Sequence, residues 1–128
     1  MVRIFKTRFF ARWMRKTALT DAELRQAISE MIEGLIDADL GSGVLKKRIG
    51  LSGRGKRSGA RTLVATNRGN RWFFLFGFEK NERSNISTEE LDGLRSIAVD
   101  LLARDNKQLD TAVTNGALQE ISHDVSNP

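Results

Sequence analysis

The sequence predicts an α+β domain in which a small antiparallel sheet carries helices packed on one face. Three observations predict it. Thr20–Glu23 and Ser87–Glu90 both have the Ser/Thr-x-x-Glu spacing that opens a helix. Between them, Val44–Leu51 alternates apolar and polar residues, and Arg71–Phe78 is almost continuously apolar, as half-buried and central strands are. Glycine-containing segments punctuate these runs, at Gly41–Gly43, Gly50–Gly59 and Arg68–Asn70.

Taken in order, Val2–Phe5 reads as a short strand. Thr7–Lys16 places Phe9, Phe10, Trp13 and Met14 in a helical pattern. Leu19 and Leu24 flank the Thr20 cap as a hydrophobic staple, and Leu24, Ile28, Met31 and Leu35 continue one face. The segment from Asp39 to Gly43 ends that helix. In Val44–Leu51, Leu45, Ile49 and Leu51 share a face while Lys46 and Arg48 point the other way. Gly50–Gly59 reads as a basic, glycine-rich loop, Arg61–Asn67 as the next strand and Arg68–Asn70 as a hairpin turn. Ile86 and Leu91 form the second staple, and Leu91, Leu94, Ala98, Leu101 and Leu102 give the following helix its buried stripe. Lys107–Ala117 suits one more short helix. One domain is expected over residues 1–121, with a flexible tail at 122–128.

The 128 residues are 40% hydrophobic and 29% charged, the composition of a soluble globular protein with one compact core. There is no cysteine, which excludes a disulfide framework, a thiolate zinc site and a catalytic thiol. No apolar run approaches a membrane span, and the basic N-terminus lacks the apolar stretch of a secretory signal, so the cytoplasm is the expected compartment.

Charge is distributed unevenly. Residues 41–78 hold nine cations (Lys46, Lys47, Arg48, Arg54, Lys56, Arg57, Arg61, Arg68 and Arg71) and no acid. Acidic residues cluster between Asp21 and Asp39 and again from Glu79 onward. Such a block is the footprint of a polyanion partner, set against the plainer reading of solvated surface cations. Gly50-x-x-x-x-Gly55-Lys56 approaches a phosphate-binding P-loop, but Arg57 stands where a magnesium-binding hydroxyl is needed, and a strand rather than a helix follows. What survives is a loop whose Arg54, Lys56 and Arg57 can follow a nucleic-acid backbone. If the strands pair, Lys46, Arg48 and Arg61 share the sheet face away from the helices. Lys80 and Arg83 leave the sheet at the edge where that loop lies, with Glu82 and Arg83 as a surface ion pair in the plainer reading. His123 stands alone, and Glu79 and Glu82 do not make a metal site.

Five segments carry a resemblance. They are Phe9–Trp13 (Phe-x-x-Arg-Trp), Asp37–Gly43 (Asp-Ala-Asp-Leu-Gly-x-Gly), Lys46–Ile49 (Lys-Lys-Arg-Ile), Gly55–Thr62 (Gly-Lys-x-x-Gly-x-Arg-Thr) and Phe78–Ile86 (Phe-x-Lys-Asn-Glu-Arg-x-Asn-Ile). In this order and spacing the chain resembles the RelE/HigB toxins of bacterial type II toxin–antitoxin systems. The resemblance implies a RelE-like, microbial-ribonuclease-like fold with a concave basic sheet face. It implies a ribosome-dependent endonuclease that cuts mRNA in the A site, needs neither metal nor cofactor, and is inhibited by an antitoxin, often of helix-turn-helix type. The implied partners are that antitoxin, the 70S ribosome and mRNA, with operator DNA reached only through the antitoxin and no membrane.

Carried over by position, the catalytic candidates are Lys46, Arg48, Lys56, Arg61, Lys80 and Arg83, with Arg61 at the scissile phosphate. Lys47, Arg54, Arg57 and Arg68 are the further RNA-binding candidates. The chain departs from RelE at Asn81, where RelE has arginine, and at Ser87, where RelE has tyrosine; it has no Tyr at all. The resemblance therefore assigns no general acid or base, and Lys46 or Lys56 is the candidate proton acceptor. Two alternatives use the same residues differently. One is a ParE-like toxin acting on gyrase, for which the cationic cluster is dispensable. The other is a non-catalytic RNA- or DNA-binding module, told apart by the absence of cleaved message.

Overall fold

Each helix opens on a side chain that satisfies its otherwise orphaned backbone N–H groups. Thr7 caps α1 (Arg8–Met14), accepting from the Phe10 N–H at 3.1 Å. Thr20 and Glu23 form a reciprocal box at α2 (Asp21–Ile32), Ser87 and Glu90 at α3 (Thr88–Leu102), and Asp105 and Gln108 at α4 (Asn106–Thr114). The computed structural model describes residues 1–51 and 55–121, and for 55–58 the backbone alone. The strands are β1 (Arg3–Thr7), β2 (Ala38–Asp39), β3 (Val44–Leu51), β4 (Gly55–Thr66), β5 (Arg71–Glu79) and β6 (Leu118–Ile121). The expected loop Gly50–Gly59 is largely strand, because β3 and β4 run on to pair Leu51 with Gly55.

Among the described residues the strands form one sheet in the order β2-β3-β4-β5-β1-β6. Neighbours are antiparallel except β1, which lies parallel to β5. The α+β class and the β3–β4–β5 meander are as the sequence predicts. The expected packing of helices on one face is not. One apolar cluster joins α1 and α2 to Ile4, Leu45, Ile49, Val64, Trp72 and Phe74. A second joins α3 and α4 to Phe5, Val44, Leu63, Ala65, Phe73 and Leu75. Ile4 and Phe5, or Trp72 and Phe73, are consecutive strand residues and so face opposite ways, which puts the clusters on opposite sides of the sheet. This is why β5 must be apolar on both faces: Trp72, Phe73 and Phe74 are all fully buried. Burial of this kind stabilises by about 1.5–3 kcal/mol per large side chain.

A register shift in β5 matters for everything beyond it. Leu63 pairs with Phe76 and Val64 with Phe74, so Leu75 is an extra residue, a β-bulge. Past the bulge the alternation is reset. Phe76 and Phe78 lie on the α3/α4 side, and Gly77 turns to α1, where an added Cβ would fall 2.4 Å from the Trp13 ring.

Two buried lysines brace α2 from the sheet. Lys6 of β1 reaches Asp21 at 2.9 Å, and Lys47 of β3 reaches Glu30 at 2.7 Å. At the far edge Arg3 bridges Glu120 of β6 and Asp110 of α4, each at 2.8 Å.

Gly77→Ala is expected to overpack the Trp13 contact and lower stability by about 1–3 kcal/mol. Urea denaturation should show a lower midpoint with an unchanged slope.

Candidate nucleic-acid interface

The α3 and α4 helices cover only part of their sheet face. Beyond Val44, Leu63 and Leu75 the same face carries Lys46 and Arg48 of β3, Arg61 of β4 and Phe78 of β5. Their alignment follows from register alone. Arg48 is directly opposite Arg61, Arg61 is directly opposite Phe78, and Lys46 is opposite Leu63. Directly opposite residues of antiparallel strands project from the same face with Cβ atoms about 4.5–5.5 Å apart. Two arginines are thus placed directly opposite one another, an arrangement that is destabilising unless negative charge is supplied.

The protein supplies some of that charge itself. Asp37, in the segment leading to β2, accepts from both the Arg48 backbone N–H (2.7 Å) and Nε (2.9 Å). Arg61 is buried, 8% exposed, and donates from Nη1 to the Gly59 carbonyl at 3.3 Å. Lys46 is half-buried, and its ammonium makes no hydrogen bond or ion pair with the described residues. Lys80 is exposed in the turn after β5, next to Glu79, which pairs with Ala60.

Arg83 comes back over this end of the sheet. Its guanidinium lies 5.8 Å from the Phe76 ring centre and 5.7 Å from that of Phe78, within cation–π range. Its ion-pair partner is Glu90, at 2.5 Å, and not the neighbouring Glu82 that the plainer sequence reading assigned. Glu82 instead turns back, accepting from the Glu79 backbone N–H (2.6 Å) and from Trp13 Nε1 (3.3 Å). Hydrogen bonds from Arg83, and then one from the Ser87 backbone N–H, hold the Glu90 carboxyl down at about 2. The same pairing raises the Arg83 guanidinium above its ordinary value.

The structure therefore gathers Lys46, Arg48, Arg61 and Arg83 on one face, with Lys80 at the adjoining turn. It separates two of the expected RNA contacts from them. Lys47 alternates to the opposite face, is 3% exposed, and is spent on Glu30 and the Leu35 carbonyl (2.9 Å), so it braces α2 and offers nothing to a ligand. Arg68 sits in the β4–β5 turn with φ +62°, paired with Asp39 at 2.8 Å. Seven residues along the chain from Arg61, it is about 20 Å away at the other end of the sheet. The side chains of Arg54, Lys56 and Arg57, and His123 with the tail 122–128, lie outside the described residues. Ser87, where the resemblance puts a tyrosine, uses its hydroxyl to accept from the Glu90 N–H at 3.1 Å.

Asp37, Glu90 and the Phe76/Phe78 pair were not among the candidates. Glu90 was legible only as a cap, and the phenylalanines only as core. Among the described residues no three His, Cys, Asp or Glu side chains gather as a metal site. No helix of the described residues is long and apolar enough to cross a membrane.

The family model described as the RelE toxin of the RelE/RelB toxin–antitoxin system matches residues 2–121. A search of curated proteins found no match.

Lys47→Ala is expected to cost about 3 kcal/mol of stability by taking the lysine from Glu30, whereas Lys46→Ala should change it by less than about 0.5 kcal/mol. Urea denaturation of the two variants tests the assignment of these adjacent lysines to opposite faces. The Glu90 carboxyl, ordinarily near 4.5, sits at about 2, so its pairing contributes fully above about pH 4.5 and is lost as pH falls through about 2. Glu90→Gln should flatten the stability difference measured between about pH 5 and about pH 3.

Proposed function

We infer that this chain, which belongs to the RelE toxin family and so is the toxin of a toxin–antitoxin system, arrests growth by cutting mRNA on the translating ribosome. The observation that carries the reading is the cross-strand row of Arg48 opposite Arg61, with Lys46 beside them and Arg83 stacked over Phe78. Like charges placed opposite one another destabilise a sheet. A phosphate bridging them relieves the repulsion, and a guanidinium fork matches two phosphate oxygens while keeping its charge.

RNA carries its own nucleophile. Attack of the 2′-hydroxyl on the adjacent phosphorus breaks the P–O5′ bond and leaves a 2′,3′-cyclic phosphate and a 5′-hydroxyl. The protein's tasks are to align that attack, to offset charge on the phosphorane and to assist two proton transfers. Arg61 and Arg48 take the non-bridging oxygens, and Arg83 supports the same phosphate from its perch on the aromatic pair. Lys46, whose ammonium has no partner among the described residues, contacts the 2′-oxygen side and takes part in proton transfer. With no tyrosine in the chain, the remaining alignment and proton transfer fall to the ribosome and the message held in its A site. Free RNA is accordingly a poor substrate. The antitoxin that the family implies silences the toxin by covering the cationic face or by obstructing its approach to the ribosome.

Arg61→Ala should reduce cleavage of message on programmed ribosomes by about 10²–10³-fold with the fold intact. The products of the wild type should carry cyclic-phosphate and 5′-hydroxyl ends. Undiminished cleavage by the Arg61 variant removes the role given to that residue. Growth arrest that persists in it while message stays whole and gyrase is inhibited favours the ParE-like alternative.

A further inference from the structure

Glu90 does two jobs with one carboxylate. It stands at the third position of α3 and closes the capping box, with Oε1 accepting from the Ser87 N–H at 2.8 Å. The same carboxylate takes Arg83 end-on, Oε2 from Nη1 at 2.9 Å and Oε1 from Nη2 at 2.5 Å. Arg83 Nε donates to the Asn85 carbonyl at 3.0 Å. Of the five N–H donors of a guanidinium, three are thereby held and two remain for a ligand. The plane of the group is fixed twice over, by the bidentate pair and by the rings of Phe76 and Phe78. Phe78 is in turn the cross-strand neighbour of Arg61.

Capping does not need the charge. A glutamine at this position closes the same box, as Gln108 does for α4 in this protein. What the carboxylate adds at position 90 is the clamp on Arg83.

We propose that Glu90 is a positioning residue of the cleavage site: it fastens Arg83 to the first turn of α3 so that one of the remaining N–H donors is presented to the phosphate held by Arg48 and Arg61. The inference rests on the role given above to Arg83. It makes the start of α3 the support of one side of the site, and ties the site's precision to a helix cap rather than to a deep pocket. The carboxyl's low titration range keeps the clamp closed at neutral pH.

The test compares wild type, Glu90→Gln, Arg83→Ala, the double variant and Arg83→Lys, all as the full chain, for cleavage on programmed ribosomes. Glu90→Gln keeps the cap and removes the charge. It should lower kcat about tenfold with KM for ribosomes nearly unchanged, and have less than about a twofold effect once Arg83 is already Ala. Arg83→Lys has no capping role and cannot form the end-on pair, so it should lose kcat to a similar extent even if the Gln variant folds poorly.

An equal loss from Glu90→Gln in both backgrounds means a merely structural role and overturns the proposal. Wild-type kcat in Glu90→Gln or in Arg83→Lys, with Arg83→Ala slow, overturns it while leaving the part given to Arg83 intact. Faster cleavage with tighter RNA binding in Glu90→Gln also overturns it, since the carboxylate would then be competing with phosphate. Wild-type activity in Arg83→Ala removes the reading of Arg83 and this inference with it, and wild-type protein that leaves message whole removes the proposed activity itself.

Discussion

The register of β4 between β3 and β5 is the constraint on which the rest of the molecule depends. It sets Arg48, Arg61 and Phe78 in one row across three strands. Strand side chains alternate with a period of two, so a slip of one residue would turn Arg61 into the α1/α2 core and bring Thr62 out in its place. The apolar residues of β4 make that slip costly. Leu63 and Ala65 fill one cluster and Val64 the other, so both would be exchanged at once. The bulge at Leu75 completes the arrangement. Without it Phe76 and Phe78 would face α1, Gly77 would face Arg61, and Arg83 would have no aromatic surface beneath it.

The same alternation divides the basic block into cations with different duties. Lys6 and Lys47 point into the α1/α2 side, where each meets an acid of α2 and fastens one end of that helix. Lys46, Arg48 and Arg61 point the other way, onto a face that α3 and α4 leave partly open. The first group stabilises because its charges are paired where water is scarce. The second is held together in spite of its charge, with Asp37 pairing Arg48 and relieving part of the repulsion.

Openness suits the proposed substrate. In that proposal the ribosome presents the message as an extended strand, so a cationic face suffices and an enclosing cavity is not required. The proposed division of labour follows. The sheet contributes Lys46, Arg48 and Arg61 on a rigid frame, and the start of α3 contributes Arg83 through Glu90. Each is placed by an element whose own packing is independent of the ligand.

By itself the sequence determined what local chemistry can determine. The capping boxes located two helix starts where Thr20, Ser87 and their glutamates stand, because a cap and its third residue lie within one turn of chain. Alternation in β3 already separated Lys46 and Arg48 from Leu45 and Ile49, and the apolar run of β5 marked a strand buried on both sides. The order of short motifs along the chain pointed to the RelE family, which the match over residues 2–121 bears out. Only the tertiary structure decided which acid meets which cation: Asp37 with Arg48, Glu30 with Lys47, Glu90 with Arg83. It also decided that the helices divide between two faces, and that Lys47 and Arg68 stand apart from the cluster. The physical reason is that a helix stripe or a strand alternation specifies that a face is buried but not against what, and ion pairs between segments depend on register and docking, which no local period encodes.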